Sequence, residues 1–321
     1  MKAVILRKAV TARELITTQV PLPKVKPGHI LVKIKAFGIN RSEIYTRNGF
    51  SPSVSLPRIL GIECVGEIFG PSDSALKKGQ RVISMMGGLG REFDGSYAEY
   101  ALIPTEQIYP VNTKFEWEEL AAVPEMYYTA WCSLIDTLKL KKNESLLIRG
   151  GTSSVGIASL QIAKAIGAKV ITTTRNKEKI NLLLEYGADH VLIDDSTLSE
   201  QVKTIEKNGA DKILELIGTI SLHSSFGMLK HGGIICMTGI LGGEWELKKF
   251  APMDFIPSGS YLTIFDSKTV FPDSLQSMLD FLDEKHIKPH ISNFFSLDEI
   301  AQAHLLMESN TANGKIIIVN Q

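Results

Sequence analysis

Short apolar runs alternate with amphipathic stretches through the middle of the chain. The runs show little alternation of apolar and polar residues, which is typical of strands buried on both faces of a parallel sheet. The stretches between them have the spacing of helices with one apolar face. The predicted strands are 146–149, 169–174, 190–193, 212–217 and 233–239, and the predicted helices are 157–164, 177–186, 198–207 and 219–229. This β–α alternation predicts an α/β domain with a doubly wound parallel sheet, which binds a nucleotide at the carboxyl ends of its strands.

The first third of the chain has a different pattern. Its apolar segments are short, they alternate with polar residues, and Pro and Gly interrupt them often. One-sided strands with many turns are typical of an antiparallel β-barrel or sandwich. The predicted strands are 1–6, 29–36, 63–68, 80–84 and 95–100.

The end of the chain carries two helical patterns, 271–285 and 297–309, and a last apolar strand, 315–319. We expect this tail to return to the first domain. A chain of 321 residues exceeds one typical domain. We therefore predict one domain from 1–120 with 260–321, and a nucleotide-binding domain from 121–259.

Composition and charge exclude several classes of protein. The 35 basic and 35 acidic residues give a net charge of zero, so no basic face for nucleic acid is indicated. No apolar run is long enough to span a membrane, and the start is too short for a signal sequence. The three cysteines, Cys64, Cys132 and Cys236, are far apart and build no disulfide framework, which indicates a reducing, cytoplasmic location.

A turn of small residues stands between the first strand and the first helix of the α/β region. A helix N-terminus offers free N–H groups and the positive end of the helix dipole, and small residues allow a pyrophosphate to come close. Ser153 and Ser154 stand where glycines are common, so an ordinary tight turn is the alternative interpretation. The predicted phosphate-binding residues are Gly151, Thr152, Ser153, Ser154, Val155 and Gly156.

The end of the second strand of this region indicates which dinucleotide is bound. An Asp or Glu about 20 residues beyond the glycine turn selects NAD by bonding the ribose 2′-OH. The chain has Thr173, Thr174 and Arg175 there, and no acid. The Arg175 guanidinium and the Thr173 hydroxyl suit a 2′-phosphate, and Lys179 adds charge one helical turn on. We therefore predict NADPH rather than NADH, with a solvated surface charge as the alternative interpretation of Arg175.

Seven segments spread along the chain share one order and spacing: 26–34, 38–45, 61–66, 79–82, 95–100, 150–156 and 313–315. Together they resemble the medium-chain dehydrogenase/reductase superfamily, in its zinc-independent quinone oxidoreductase (zeta-crystallin-like) branch. The resemblance covers essentially the whole chain. It implies a GroES-like β-barrel catalytic domain and a Rossmann domain that binds NADPH.

The resemblance makes zinc the first question about the chemistry. Zinc-dependent members carry a Cys where this chain has Asn40, and a His where it has Ile62. Glu63 and Cys64 remain, but two neighbours do not build a tetrahedral site. Residues 84–95 contain no Cys, so the structural zinc lobe of the family is absent as well. We predict that this chain has no catalytic zinc.

The loop that begins at Asn40 is the predicted catalytic region, because the resemblance implies that it lies by the nicotinamide ribose. Asn40 suits a bond to the ribose or the substrate. Tyr45 suits donation to the reduced oxygen, with proton delivery from water, or an aromatic wall at Tyr45, as the alternatives. Arg41 and Glu43 depart from the residues that are frequent in the family. Both are interpreted as exposed loop charges, with substrate selection as the alternative role for Arg41.

Other cofactor contacts are predicted from strand ends and from the resemblance. Ile217 lies at the carboxyl end of predicted strand 212–217, and Gly239 and Ile240 lie at the carboxyl end of predicted strand 233–239. For the glycine-rich turn after the second strand, a purely structural role is the alternative interpretation. The resemblance implies that Thr129 lies near the nicotinamide. Lys315 suits a ribose or phosphate contact, or simply begins a strand. A further departure is Asp194, which stands where relatives often have a Tyr against the adenosine.

The sequence thus predicts an NADPH-dependent reductase of quinones or α,β-unsaturated carbonyls that uses no zinc. Aldehydes and enoyl thioesters are alternative acceptors on the same fold, since the fold does not fix the substrate. A non-catalytic NADPH-binding redox sensor is the alternative from another class. The expected partners are a small-molecule carbonyl or quinone acceptor and a second copy of the chain. The β-rich segment 259–265 is the candidate edge strand for that homodimer.

Overall fold

The computed structural model describes residues 1–70 and 75–320. It divides into two compact units, Met1–Glu125 with Ser267–Gln321, and Met126–Asp266. The strands are β1 (Lys2–Ala3), β2 (Ile5–Leu6), β3 (Thr18–Gln19), β4 (His29–Gly38), β5 (Arg58–Ile59), β6 (Glu63–Ile68), β7 (Arg81–Met85), β8 (Tyr100–Pro104), β9 (Tyr109–Pro110), β10 (Ser145–Arg149), β11 (Lys169–Thr174), β12 (His190–Ile193), β13 (Ala210–Glu215), β14 (Leu229–Met237), β15 (Tyr261–Ile264), β16 (Ile291–Ser296) and β17 (Lys315–Val319).

The helices are mostly short. They are α1 (Arg41–Arg47), α2 (Trp117–Leu120), α3 (Pro124–Trp131), α4 (Ser154–Ile166), α5 (Ile180–Glu185), α6 (Leu198–Ile205), α7 (Thr219–Phe226), α8 (Pro252–Phe255), α9 (Pro272–Glu284) and α10 (Ile300–Glu308). A π-helical turn, Cys132–Thr137, continues α3, and 3₁₀ turns occur at Ala12–Glu14, Thr105–Gln107, Lys177–Lys179 and Leu297–Glu299. Within residues 1–70 and 75–320, no helix is both long and apolar enough to cross a membrane.

The second unit is built on a six-stranded parallel sheet in the order β12-β11-β10-β13-β14-β15. Its first strand, β10, pairs on one side with β11 and on the other with β13, so the strand order reverses there. Leu147 of β10 lies opposite Ile171 and Ile213 in the register, and all three are fully buried. This is the doubly wound Rossmann arrangement, whose ligands bind at the switch point beyond the strand ends. The predicted α/β class is confirmed.

Helix α4, which follows β10, is capped at both ends. The Ser153 hydroxyl caps the first turn by accepting a hydrogen bond from the Gly156 N–H at 3.1 Å. Gly167 ends the helix in the left-handed region, at φ 90°, where glycine avoids the strain of a Cβ. Between them Ile157, Leu160 and Ile162 are buried. The helix therefore begins immediately after the glycine turn.

The first unit is mainly antiparallel. Seven strands form one sheet, in which β16-β17-β4-β6-β7-β9 are neighbours in that order and β8 also pairs with β4. The C-terminal strand β17 joins it next to β4, with Ile318 opposite Phe37. Ile34, Phe37 and Ile318 belong to one buried cluster with the side chains of the other strands. The predicted GroES-like β-domain is therefore confirmed, as is the Rossmann domain.

Some predicted elements are wrong. The segment 95–100 is not a strand, since β8 begins only at Tyr100. The Gly95 backbone approaches Gly61 so closely that a Cβ would lie 2.1 Å from the Gly61 carbonyl oxygen. The predicted strand 1–6 is two short strands, β1 and β2, which pair with different partners.

Other boundaries shift in the second half of the chain. The strand predicted at 212–217 is β13, Ala210–Glu215, which leaves Ile217 in the turn that follows. The helix predicted at 219–229 is α7, which ends at Phe226 because β14 begins at Leu229. Strand β16 was not predicted, and it pairs in parallel with β17.

Candidate functional site

The glycine turn of the second unit forms a tight cradle at the carboxyl end of β10. A Cβ at Gly151 would lie 1.8 Å from the Thr172 hydroxyl, and a Cβ at Gly156 would lie 2.6 Å from the Gly150 carbonyl oxygen. The first N–H groups of a helix have no acceptor within it, and here only that of Gly156 is capped by a side chain, from Ser153. Since no acceptor among the described residues engages the N–H groups of Ser154 and Val155, these two groups are available to an anion. The cradle fits a pyrophosphate.

Two further strand ends lie beside this turn. The Leu241 N–H donates to the Leu216 carbonyl at 3.0 Å, and the Gly242 N–H donates to the Ile217 carbonyl at 2.8 Å. The side chains of Leu216, Ile217 and Leu241 are also the nearest neighbours of Gly150. The structure thus brings the predicted residues Ile217, Gly239 and Ile240 to the edge of the glycine turn. Gly239 has a structural role as well, because a Cβ there would lie 2.4 Å from the Leu216 carbonyl oxygen.

Thr173 lies beneath the turn rather than at the surface. It is fully buried, and its hydroxyl accepts from the Gly150 N–H at 3.2 Å and donates to Asp194 at 3.0 Å. The side chain that was predicted to contact a 2′-phosphate thus supports the turn from within. Arg175 is exposed at the end of β11, and Lys179 is half-buried in the turn after it.

Sequence reasoning missed a buried ionic network below the turn. Arg149, the last residue of β10, forms an ion pair with Asp194 at 2.6 Å and approaches Glu215 at 3.7 Å. Its guanidinium also donates to the hydroxyls of Ser224 and Ser225 at 2.8 and 3.1 Å. Glu215 in turn accepts the N–H groups of Ile217 and Gly218, the start of the turn after β13. These contacts therefore connect the ends of β10, β12 and β13. The only indication in the sequence was a single Arg at the end of an apolar run.

In the first unit, Asn40 is held by two buried ionic groups. Its side-chain NH2 donates to Glu63 Oε1 at 2.8 Å, and its Oδ1 accepts from Lys315 Nζ at 2.6 Å. Lys315 and Glu63 themselves form an ion pair at 2.5 Å, and both are almost completely buried. A Cβ at Gly38 would lie 2.2 Å from Lys315 Cε, so only glycine leaves room for this pair. The ammonium of Lys315, predicted as a cofactor contact, is thus committed inside the first unit.

Glu43 is not an exposed loop charge, and that interpretation is wrong. It is 1% exposed, because the short helix α1 packs it inward. Its carboxylate accepts three hydrogen bonds, from the N–H groups of Asn40 and Ile62 and from the Tyr97 hydroxyl at 2.9 Å. Burial nevertheless raises the pKa of Glu43 to about 7.

A chain of hydrogen bonds continues from Tyr97 to the surface. Tyr97 Oη lies 2.8 Å from His304 Nε2, and Arg47 Nη1 donates to His304 Nδ1 at 3.1 Å. Because an arginine can only donate, the other ring nitrogen carries the proton and donates to Tyr97. Burial, helped by the Arg47 charge, lowers the pKa of His304 to about 3. Arg47 is also ion-paired with Glu308. The chain is directional and ends on the Glu43 carboxylate.

Arg41, Tyr45 and Thr129 lie outside these networks. Arg41 is half-buried and donates to Asn310 Oδ1 at 2.7 Å and to the Met307 carbonyl, so it is not a free loop charge. Tyr45 is half-buried in α1, and in the described part of the chain no hydrogen bond links its hydroxyl to Asn40. Thr129 is buried in α3 at 7% exposure.

Glu125, the second residue of α3, is another residue that sequence reasoning missed. Its N–H donates to Glu63 Oε2 at 2.8 Å. Its own Oε2 is buried and has no hydrogen-bond partner among the described residues. Burial, with Glu63 next in effect, raises the pKa of Glu125 to about 8. The available signal was an acid between Pro124 and Met126 in an otherwise apolar segment.

Comparisons with known proteins agree with this architecture. Residues 26–113 match the alcohol dehydrogenase GroES-like domain family, and residues 154–284 match the zinc-binding dehydrogenase family. The quinone oxidoreductase of Pongo abelii is 31% identical over 310 residues, 94% of this chain and 91% of that protein. The acryloyl-coenzyme A reductase of Metallosphaera sedula is 25% identical over 341 residues, 99% of each. The crystal structure of an NAD-dependent alcohol dehydrogenase covers 100% of both chains at 25% identity, with a TM-score of 0.87.

The fold and the two domain families define an oxidoreductase that uses a nicotinamide nucleotide on a small-molecule substrate. The chain belongs to the medium-chain dehydrogenase/reductase superfamily, in its quinone oxidoreductase (zeta-crystallin-like) family. The predicted family is thereby confirmed.

The residues of the first unit do not fit the zinc ion that one family name implies. Asn40 presents a neutral amide that is hydrogen-bonded to Glu63 and Lys315 in place of a thiolate or imidazole, and Ile62 offers no ligand atom. Burial raises the pKa of the Cys64 thiol to about 12, which disfavours the thiolate that zinc requires. Across residues 1–70 and 75–320, no three His, Cys, Asp or Glu side chains are grouped so that they could hold a metal.

Proposed function

We propose that the chain is an NADPH-dependent reductase that transfers a hydride to quinones or α,β-unsaturated carbonyls without zinc. The observation that carries this proposal is the end of β11, where the exposed Arg175 follows Thr174 and no acid is present. An acid at that position would bond the ribose 2′-OH of NADH, whereas a guanidinium suits the 2′-phosphate of NADPH. In the described chain no ion pair engages Arg175, so its charge is free for a ligand.

The residues of the second unit support the nucleotide in distinct ways. Ser154 and Val155 would bind the pyrophosphate through their N–H groups, with Gly151 and Gly156 allowing its close approach. Thr152 and Ser153 complete the turn, and Thr173 holds it from below. We infer that Lys179 adds charge near Arg175. Gly239, Ile240 and Ile217 would border the same site, and Thr129 would contribute a hydroxyl near the nicotinamide.

When it is bound, the reduced nicotinamide supplies the hydride, so the protein needs no metal to move electrons. Asn40 is the residue that we propose to bind the ribose or the acceptor. The contacts of its side chain with Glu63 and Lys315 fix its orientation before the ligands arrive. We therefore assign Lys315 a positioning role, and we retain Tyr45 as a wall of the acceptor site or a donor to the reduced oxygen.

Two acceptor classes are supported by named relatives. The quinone oxidoreductase supports a quinone, and the acryloyl-coenzyme A reductase supports an enoyl thioester. Both acceptors have a carbonyl conjugated to a carbon–carbon double bond, so one hydride-transfer site suits either.

Stopped-flow oxidation of NADPH by 1,4-benzoquinone and by an acyclic enone, each against a protein-free control, tests the proposal. Enzyme-dependent oxidation with either acceptor is the expected result. Tight NADPH binding without turnover of any conjugated carbonyl would contradict the reductase and favour a sensing role.

A further inference from the structure

Three glutamates of the first unit, the buried Glu43 and Glu63 and the half-buried Glu125, differ in how their carboxyl groups are hydrogen-bonded. Glu63 receives Asn40 and Lys315 on one oxygen and the Glu125 N–H on the other. Glu43 receives three donors, as described above. Glu125 Oε2 is also buried, yet no donor reaches it among the described residues. Two of the carboxyl groups are thus held as acceptors, and the third is not.

The surroundings of Glu125 favour its protonated form. The charged groups that face it are Glu63 from β6, Glu43 from α1, Lys315 from β17 and Arg91 from the loop after β7. The two carboxylates oppose ionisation and the two cations favour it, and the effect of Glu63 is larger than that of Lys315. Burial is the largest effect, and together these effects raise the pKa of Glu125 to about 8. At neutral pH the group is a neutral acid with a proton to give, and the residue is only half-buried.

We propose that Glu125 is the proton donor to the reduced acceptor. Glu63 positions Glu125 by accepting a hydrogen bond from the Glu125 backbone N–H. The inference rests on the proposed reductase function. The hydride brings two electrons and one hydrogen to the acceptor and leaves a negative charge on its oxygen or on the carbon next to its carbonyl. The Glu125 O–H bond breaks as the new O–H or C–H bond forms. The resulting carboxylate takes a proton from water before the next turnover.

The alternative donors in the first unit are less suitable. The Lys315 ammonium is 2% exposed, and its loss of a proton would leave the Glu63 carboxylate buried without its counter-charge. The Tyr97 hydroxyl already donates to Glu43, and burial raises its pKa well above the ordinary value. Glu125 combines a neutral acid with a free oxygen.

The test compares Glu125→Gln, which keeps the shape but cannot give a proton, with Glu125→Asp, which keeps the acid. Glu118→Gln, an exposed glutamate of α2, is the matched control. Infrared spectroscopy of the protein without nucleotide reads the protonated-carboxyl band directly. We expect Glu125→Gln to lose intensity at pH 7 in a band that titrates near pH 8. Glu118→Gln should retain that intensity.

Turnover provides the second measurement. Glu125→Gln should bind NADPH with unchanged affinity and lose about 10²-fold or more in kcat. Glu125→Asp should retain part of kcat, and its kcat should still decrease at high pH, where the carboxyl group loses its proton. Undiminished kcat in Glu125→Gln, or an unchanged infrared band, would overturn the proposal. If the wild-type chain reduces no conjugated carbonyl, the reductase fails, and the infrared band separately reports whether Glu125 holds a proton.

Discussion

Arg149 and Asp194 form an ion pair at 2.6 Å between the ends of β10 and β12, across the intervening strand β11. Asp194 also accepts from Thr173, which holds the Gly150 N–H, so the pair supports the glycine turn. Its carboxylate therefore has a clear structural role. The pair is nearly buried, with side-chain exposures of 6% and 10%.

Asp194→Ala should be costly for the second unit. Removing one partner of a buried pair leaves the other charge without compensation, which lowers the free energy of unfolding by on the order of 3 kcal/mol. Asp195→Ala removes the adjacent but exposed carboxylate, and should cost much less, because exposed charges contribute little to stability. Denaturant unfolding of both variants measures the difference. Equal losses would show that the pair does not stabilise the turn.

Gly38→Ala should disrupt the Lys315–Glu63 pair. The new Cβ would lie 2.2 Å from Lys315 Cε and 2.5 Å from Glu63 Oε1, so the buried pair must separate. Gly70→Ala is the control, because among the described residues its Cβ would meet no atom closer than 4.0 Å. We expect a lower melting temperature and lower turnover for Gly38→Ala alone. Wild-type values in both measurements would contradict the assigned positioning role of Lys315.

The sequence predicted most strands of the parallel sheet well, because a strand that is buried on both faces is a continuous run of apolar residues. It predicted the buried charges poorly. Glu43 was interpreted as exposed because a single acid in a short polar segment gives no periodic pattern from which its burial could be predicted. Arg149 and Glu125 gain their partners from residues distant in the chain, so only the folded backbone reveals the contacts. The alternation of 95–100 was misread as a strand because the pattern does not encode the approach of Gly95 to Gly61.

His304 should make the protein less stable in acid. Its pKa is lowered to about 3 in the folded protein, while the unfolded chain has an ordinary histidine. Below about pH 6.5 the unfolded chain therefore binds a proton that the folded chain does not, and stability falls by up to about 1.4 kcal/mol per pH unit.

His304→Gln tests this dependence, because it removes the titration. We expect the stability difference between wild type and His304→Gln to shrink by on the order of 2 kcal/mol between pH 7 and pH 5. Urea unfolding at the two pH values measures it. A difference independent of pH would mean that the pKa of His304 is the same in the folded and the unfolded chain.

The edge strand β15 should join two copies of the chain. It is the last strand of the parallel sheet, and its Tyr261 and Ile264 are 60% and 58% exposed. An exposed, apolar edge strand is a template for pairing with another chain. Ile264→Lys should convert a dimer to a monomer in light scattering after size exclusion, whereas Phe294→Lys, on the edge strand of the other sheet, should not. A monomeric wild-type protein would exclude this assembly.

The most direct test of the central claim is a parallel fluorescence titration with NADPH and NADH. Wild-type protein should prefer NADPH, since the Arg175 guanidinium would pair with the 2′-phosphate, and Arg175→Ser should reduce that preference by about tenfold or more. Lys177→Ser, which removes an exposed cation two residues further on, is the control and should keep most of the preference. Equal or tighter binding of NADH by the wild-type protein would contradict the account.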